Sequence, residues 1–189
     1  MPSTWRSLFA GLAALALVAC GGSSGPVVLL GPFLVDFESR PDDGFVVLSL
    51  PLFLGHGATF SSVTGGSAYD ISTADAWGLG GCTAVASSGT LMMAAEQSSP
   101  NIVAAEIRLD PPAARVTVEL ADLTGELVTF EGRNAADEWI GADAIVVGPC
   151  PVALQTLSVT SGDENLISIL RIKGYAPVWD DLRIWRWSQ

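Results

Sequence analysis

From residue 33 onward the apolar and polar positions alternate in short runs, and no stretch holds a 3.6-residue period over three helical turns. In the clearest run Val116, Val118 and Leu120 alternate with Arg115, Thr117 and Glu119, setting a dry face against a wet one. The same signal predicts strands over 33–37, 45–50, 58–63, 68–72, 91–96, 102–109, 127–131, 144–147, 154–160, 167–172 and 182–187. Turn residues punctuate these runs at Asp110-Pro111-Pro112, Thr124-Gly125-Glu126, Gly148-Pro149-Cys150-Pro151 and Ser161-Gly162-Asp163. About ten short strands of this kind predict an all-β chain, folded as a two-sheet antiparallel β-sandwich over residues 33–189. There is no repeat of fixed period and no sign of a second domain.

The first residues follow a different pattern. Arg6 precedes an uncharged run from Leu8 to Ala19, about 18 Å long as a helix and too short for a bilayer core of about 30 Å. The run ends in Leu17-Val18-Ala19-Cys20, which resembles a bacterial lipobox, and Gly21-Gly22-Ser23-Ser24-Gly25 follows as a tether. The resemblance implies a signal peptide over 1–19, lipid modification of Cys20, a flexible tether over 20–32 and a membrane partner reached through the lipid. The competing reading is an ordinary secretory signal with a chance cysteine.

Composition narrows the classes further. With 49% hydrophobic and 15% charged residues the chain has enough apolar surface for a full core, which excludes disorder as its general state. Twenty acidic residues against nine basic ones give a net charge of −11, so nucleic acid is not an expected partner. If Cys20 carries lipid, Cys82 and Cys150 remain as an even pair in an exported, oxidising compartment, and a disulfide between them is expected. A metal site is the weaker alternative, since there is no Cys-x-x-Cys and only His56 to assist.

The order of strand sequences in the C-terminal two thirds carries a second resemblance. Ile102 to Pro112, Arg115 to Leu120, Leu123 to Val128, Leu166 to Gly174 and Trp179 to Ile184 look like bacterial extracellular jelly-roll domains of the galactose-binding or carbohydrate-binding-module type. Such domains open on an acidic strand, here Val35-Asp36-Phe37-Glu38, and close on an Asp-Asp-aliphatic strand, here Asp180-Asp181-Leu182. In several of these families the first and last strands are neighbours whose carboxylates hold structural calcium, so Asp36, Glu38, Asp180 and Asp181 are candidate Ca²⁺ ligands. Calcium wants six to eight hard oxygens, and strand alternation aims only one of Asp180 and Asp181 well unless a bulge intervenes; Asp181 is favoured. Solvated acidic strand ends that discourage edge pairing are the competing reading. Residues 40–100 match no pattern.

Aromatic side chains supply the other candidate site, because an exposed indole is a flat platform for the apolar face of a sugar. Trp185 and Trp187 share the face of Arg183 in the last run, opposite Leu182 and Ile184, and are expected to be partly wet. Trp77 falls in a Gly-rich stretch and Trp139 in a polar one, both read as loops. Each Trp has an alternative use as a core cap. Catalytic inventories are thin. His56 stands alone in Gly55-His56-Gly57 and is read as a turn residue, while no Gly-x-Ser-x-Gly elbow and no P-loop are present. The expected function is therefore a non-catalytic, lipid-anchored module of the bacterial cell envelope that binds a glycan or other envelope ligand. A structural or assembly lipoprotein that binds another envelope protein is the alternative, and a two-carboxylate glycoside hydrolase a distant third.

Overall fold

The computed structural model describes residues 27–38, 46–62, 64, 67–72, 81–97, 99, 101–146, 150–162 and 165–188. Cys20, the leader, most of the tether and Trp77 lie outside the described residues. Within them the chain forms β1 (Leu29–Val35), β2 (Val46–Val47), β3 (Leu52–Gly55), β4 (Ala58–Ser62), β5 (Ser67–Ser72), β6 (Ala84–Val85), β7 (Leu91–Glu96) and β8 (Val103–Ala113). Then follow β9 (Arg115–Asp122), β10 (Leu127–Arg133), β11 (Trp139–Val146), β12 (Val152–Ala153), β13 (Gln155–Thr160), β14 (Ile167–Lys173) and β15 (Pro177–Trp187), with no helix among the described residues.

Two large antiparallel sheets form the expected sandwich. One has seven strands in the order β13-β9-β15-β7-β5-β2, with β1 also paired to β15; the other has six in the order β11-β10-β14-β8-β4-β3. Between them lies the main core. Val116, Val118, Leu120, Leu157, Val159, Leu182 and Ile184 from the first sheet meet Phe60, Ile107, Val128, Phe130, Leu170 and Ile172 from the second. Trp179 is fully buried there, edge-on to Phe60 at 5.6 Å between centroids. Alternation explains the choice of residues, since these are the odd or even members of each run. Close approach of the sheets is permitted by Gly132, where a Cβ would stand 2.6 Å from Cγ1 of Val159.

Part of the outer face of the seven-stranded sheet is covered as well. Ile71, Met92, Ala94, Ala121, Leu123 and Val178 pack there against Cys82, Ala84, Val152 and Ala176, so β7 is buried on both faces. The cover is a small parallel pair, β6 with β12, and Cys82 and Cys150 are joined by a disulfide with their Cα atoms 5.6 Å apart. The six-stranded sheet carries no second apolar cluster on its outer side among the described residues.

Several expectations shift. β1 begins at Leu29, so the end of the stretch read as tether belongs to a strand paired with β15. Asp110-Pro111-Pro112, read as a turn, lies inside β8, at an irregularity of its ladder to β14 where the missing proline N–H groups are tolerated. Trp139, read as a loop residue, opens β11. His56 does sit in the β3–β4 turn, with Gly55, His56 and Gly57 all at positive φ.

Candidate functional site

The terminal strands are neighbours: Leu29 pairs with Trp187 and Val35 with Leu182. β15 also pairs with β7 through Val178 and Trp179. Its neighbour thus changes from β7 to β1 at Asp180 and Asp181, leaving the approach to β7, residues 87–91, with backbone N–H groups that no strand serves. Carboxylates serve them. Asp180 Oδ2 accepts the Ser87 N–H (3.0 Å), the Ser88 N–H (3.1 Å) and the Ser87 hydroxyl (3.0 Å), and Glu38 Oε1 accepts the N–H groups of Thr90 (2.8 Å) and Leu91 (2.7 Å). Asp181 accepts the Ser88 hydroxyl (2.7 Å) and pairs with Arg183 (2.9 Å).

A bulge is the reason that both aspartates turn inward. The ladder of β15 to β9 slips between Asp180 and Arg183, and Asp181 takes a φ of 45°, a left-handed conformation that Asp tolerates better than most residues. Burial pushes the Asp180 carboxyl above its ordinary value, against the hydrogen bonds from Ser88, Ser87 and the Asp181 N–H, while the Asp181 charge adds to the rise. Asp36 stays exposed and apart from this set. No three His, Cys, Asp or Glu side chains form a metal-holding group among the described residues, so the coordination sphere expected of Asp36, Glu38, Asp180 and Asp181 is not assembled. Glu38, Asp180 and Asp181 meet instead the donors of residues 87–91.

The tryptophans separate in the same way. Trp185 is half-buried with the Arg115 guanidinium 5.0 Å from its ring centroid, so that face is occupied. Trp187, also half-buried, lines a cavity of about 510 Å³ with Leu30, Phe33, Pro111, Pro112 and Leu166. Both belong to the seven-stranded sheet, whereas Trp139 belongs to the six-stranded one. They do not form one platform.

Trp139 stands 62% exposed at the end of a cross-strand row. Register places Trp139 beside Arg133, Arg133 beside Ile169, Ile169 beside Arg108, Arg108 beside Thr59 and Thr59 beside Phe53, itself 68% exposed at the far edge. The next row runs Ala142, Glu131, Arg171 and Glu106. Ion pairs knit the rows together: Glu106 binds Arg108 (2.8 Å) and Arg171 (3.0 Å), Glu131 binds Lys173 and Arg133 (3.4 Å), and Asp137 binds Arg171 (3.0 Å) and Arg133 (3.5 Å). For Arg171, burial by itself would lower the guanidinium, but hydrogen bonds to Glu106 and Asp137 carry it above its ordinary value.

Asn134 fixes the turn that presents Trp139. Its Oδ1 accepts the N–H groups of Ala136 (3.0 Å) and Glu138 (2.9 Å), and its Nδ2 donates to Glu138 Oε2 (2.7 Å) and Asn165 Oδ1 (2.9 Å). The outer face of the six-stranded sheet is thus a pre-ordered polar surface with an aromatic ring at each edge. Apart from Trp139, its residues escaped the sequence reading. Their signal was present in charges two apart on three strands, Glu106 with Arg108, Glu131 with Arg133 and Arg171 with Lys173.

No family model matches the chain, and no curated protein matches it in sequence. Among solved structures it is similar to the CBM22-1–GH10 modules of endo-1,4-β-D-xylanase 10B from Clostridium thermocellum, complexed with xylohexaose. The TM-score is 0.43 and the identity 12%, over 80% of this chain and 27% of that one. The chain therefore spans about a quarter of that structure's length. A likeness of that degree says nothing of this chain's ligand.

Proposed function

We propose that the protein is a non-catalytic carbohydrate-binding module, lipid-anchored through Cys20 in a bacterial cell envelope, and that it takes its glycan on the outer face of the six-stranded sheet. The observation that carries this reading is the row from Trp139 to Phe53, in which exposed rings flank ordered guanidinium and hydroxyl groups. Sugar rings offer an apolar face and a rim of hydroxyls, and a flat aromatic edge with fixed donors and acceptors complements both. On the other sheet, β6 and β12 cover the outer face around Ile71, Met92 and Val178, and the Arg115 guanidinium occupies the face of Trp185. Support for the anchor comes from Leu17-Val18-Ala19-Cys20 and the Gly/Ser tether that follows.

Calorimetric titration with a panel of plant and bacterial cell-wall oligosaccharides tests the glycan site. Trp139→Ala should weaken binding about tenfold or more, as expected for truncation of an aromatic anchor, while Trp185→Phe leaves affinity unchanged. Absence of binding across the panel, or equal affinity in the Trp139→Ala protein, would overturn the proposal.

A further inference from the structure

We infer that the glycan taken by this face is acidic, with Arg108 receiving the carboxylate of a uronic acid unit; this rests on the reading of the six-stranded face as a glycan site. The chain as a whole is strongly acidic at −11, yet four of the seven Lys and Arg side chains among the described residues, Arg108, Arg133, Arg171 and Lys173, stand on this one face. Three carboxylates, Glu106, Glu131 and Asp137, are each shared between two of those cations. Within that paired set four cations meet three acids, while Asp110 at the rim and Glu138 in the Asn134 turn carry two further carboxylates.

The hydrogen bonds single out one of these cations. Arg171, Arg133 and Lys173 are one-fifth to about one-quarter exposed and held by the shared acids, whereas the Arg108 side chain is 60% exposed. Arg108 commits only Nη2, to Glu106 Oε1, among the described residues. A guanidinium has five N–H donors in a planar fork, so Arg108 retains the edge that grips a carboxylate at two points.

Beside it lies a cleft of about 330 Å³ lined by Arg108, Leu109, Asp110, Pro112, Ala135, Ser168 and Ile169, near the small end of the range for sugar-sized ligands. Ser168 adds a hydroxyl. Asp110 is the acid on the same rim, and it is exposed, with its field acting on Arg186. Three strand spacings separate Arg108 from Trp139, roughly 14 Å, a span over which one oligosaccharide reaches both the ring and the fork.

The test titrates the full chain with a galacturonic acid oligosaccharide, its methyl ester and a neutral xylo-oligosaccharide of equal length, at low and high salt. The free acid should bind at least about tenfold tighter than its ester at low salt, and the advantage should shrink as salt rises. In Arg108→Met the acid-to-ester ratio should fall toward one, and Arg108→Lys should restore part of it; urea midpoints confirm that each variant is folded. Equal affinity for acid and ester, or a ratio that survives Arg108→Met, overturns the acidic-glycan inference while the Trp139-dependent glycan reading stands. Failure to bind any of the three overturns the inference, and the wider panel decides separately whether the glycan site itself stands.

Discussion

Asp180 shows how a bulge, more than residue type, sets the partners of a carboxylate. Its position in an Asp-Asp pair on the closing strand marks it as convergent with the opening segment, and Glu38 and Asp181 do join it around residues 87–91. Alternation along a strand has no means of announcing a bulge, and the φ of 45° at Asp181 is what turns the pair inward. Most of the donors that meet Asp180 and Glu38 are backbone N–H groups, which every residue except proline carries, and so no sequence motif marks them. A pH dependence follows from the buried carboxyl. Because its folded value is raised, the folded state holds the Asp180 proton more tightly than the unfolded chain, so its contribution is full below the ordinary Asp value and is lost as pH rises through the raised one. Urea midpoints measured between about pH 4 and about pH 7 should therefore fall with rising pH more steeply in the unmodified protein than in Asp180→Asn. Parallel curves would show that burial does not set this carboxyl.

At the scale of elements, strands long enough to show two or more alternations were legible, as Arg115–Asp122 and Leu127–Arg133 demonstrate. Of the four strands of two to four residues, β2 falls within the predicted 45–50, while β3, β6 and β12 were not legible, because so short a run carries no period. Two of them form the cover of the seven-stranded sheet, which is why that layer was invisible until the chain was folded. Its disulfide closes a separation of 68 residues, and the loop-entropy estimate assigns it about 4 kcal/mol as an upper figure. Cys82→Ser with Cys150→Ser should lower stability by up to that amount in urea. Hydrogen exchange should then accelerate first along β5, β7 and the Pro177–Asp180 part of β15, whose Ile71, Met92, Ala94 and Val178 lie beneath the cover. Unchanged exchange there would show that β6 and β12 hold without the bridge.

For the whole molecule, charge and attachment set how the module meets its surroundings. The outer face of the six-stranded sheet gathers four of the seven described cations of an acidic chain, while Val27 and Val28, the first described residues, lie exposed just past the Gly/Ser stretch. If Cys20 carries the anchor, the protein made in a bacterial host should partition into detergent, and Cys20→Ser should move it to the aqueous phase or leave an uncleaved precursor. Identical partitioning of both forms would remove lipid from the account.

The pairing of β1 with β15 bears finally on how the domain carries mechanical load. Tension arriving at Val27 enters the fold through β1, which among the described residues pairs only with β15, and whose Leu29, Leu30 and Leu34 are exposed. Extending the chain from that end breaks this ladder and draws Phe33 and Val35 away from the core that both sheets share. The next obstacle is Glu38, clamped to the N–H groups of Thr90 and Leu91. A module pulled between an anchor and a bound polymer would thus meet the load first at the β1–β15 ladder, which acts as the fuse of the fold.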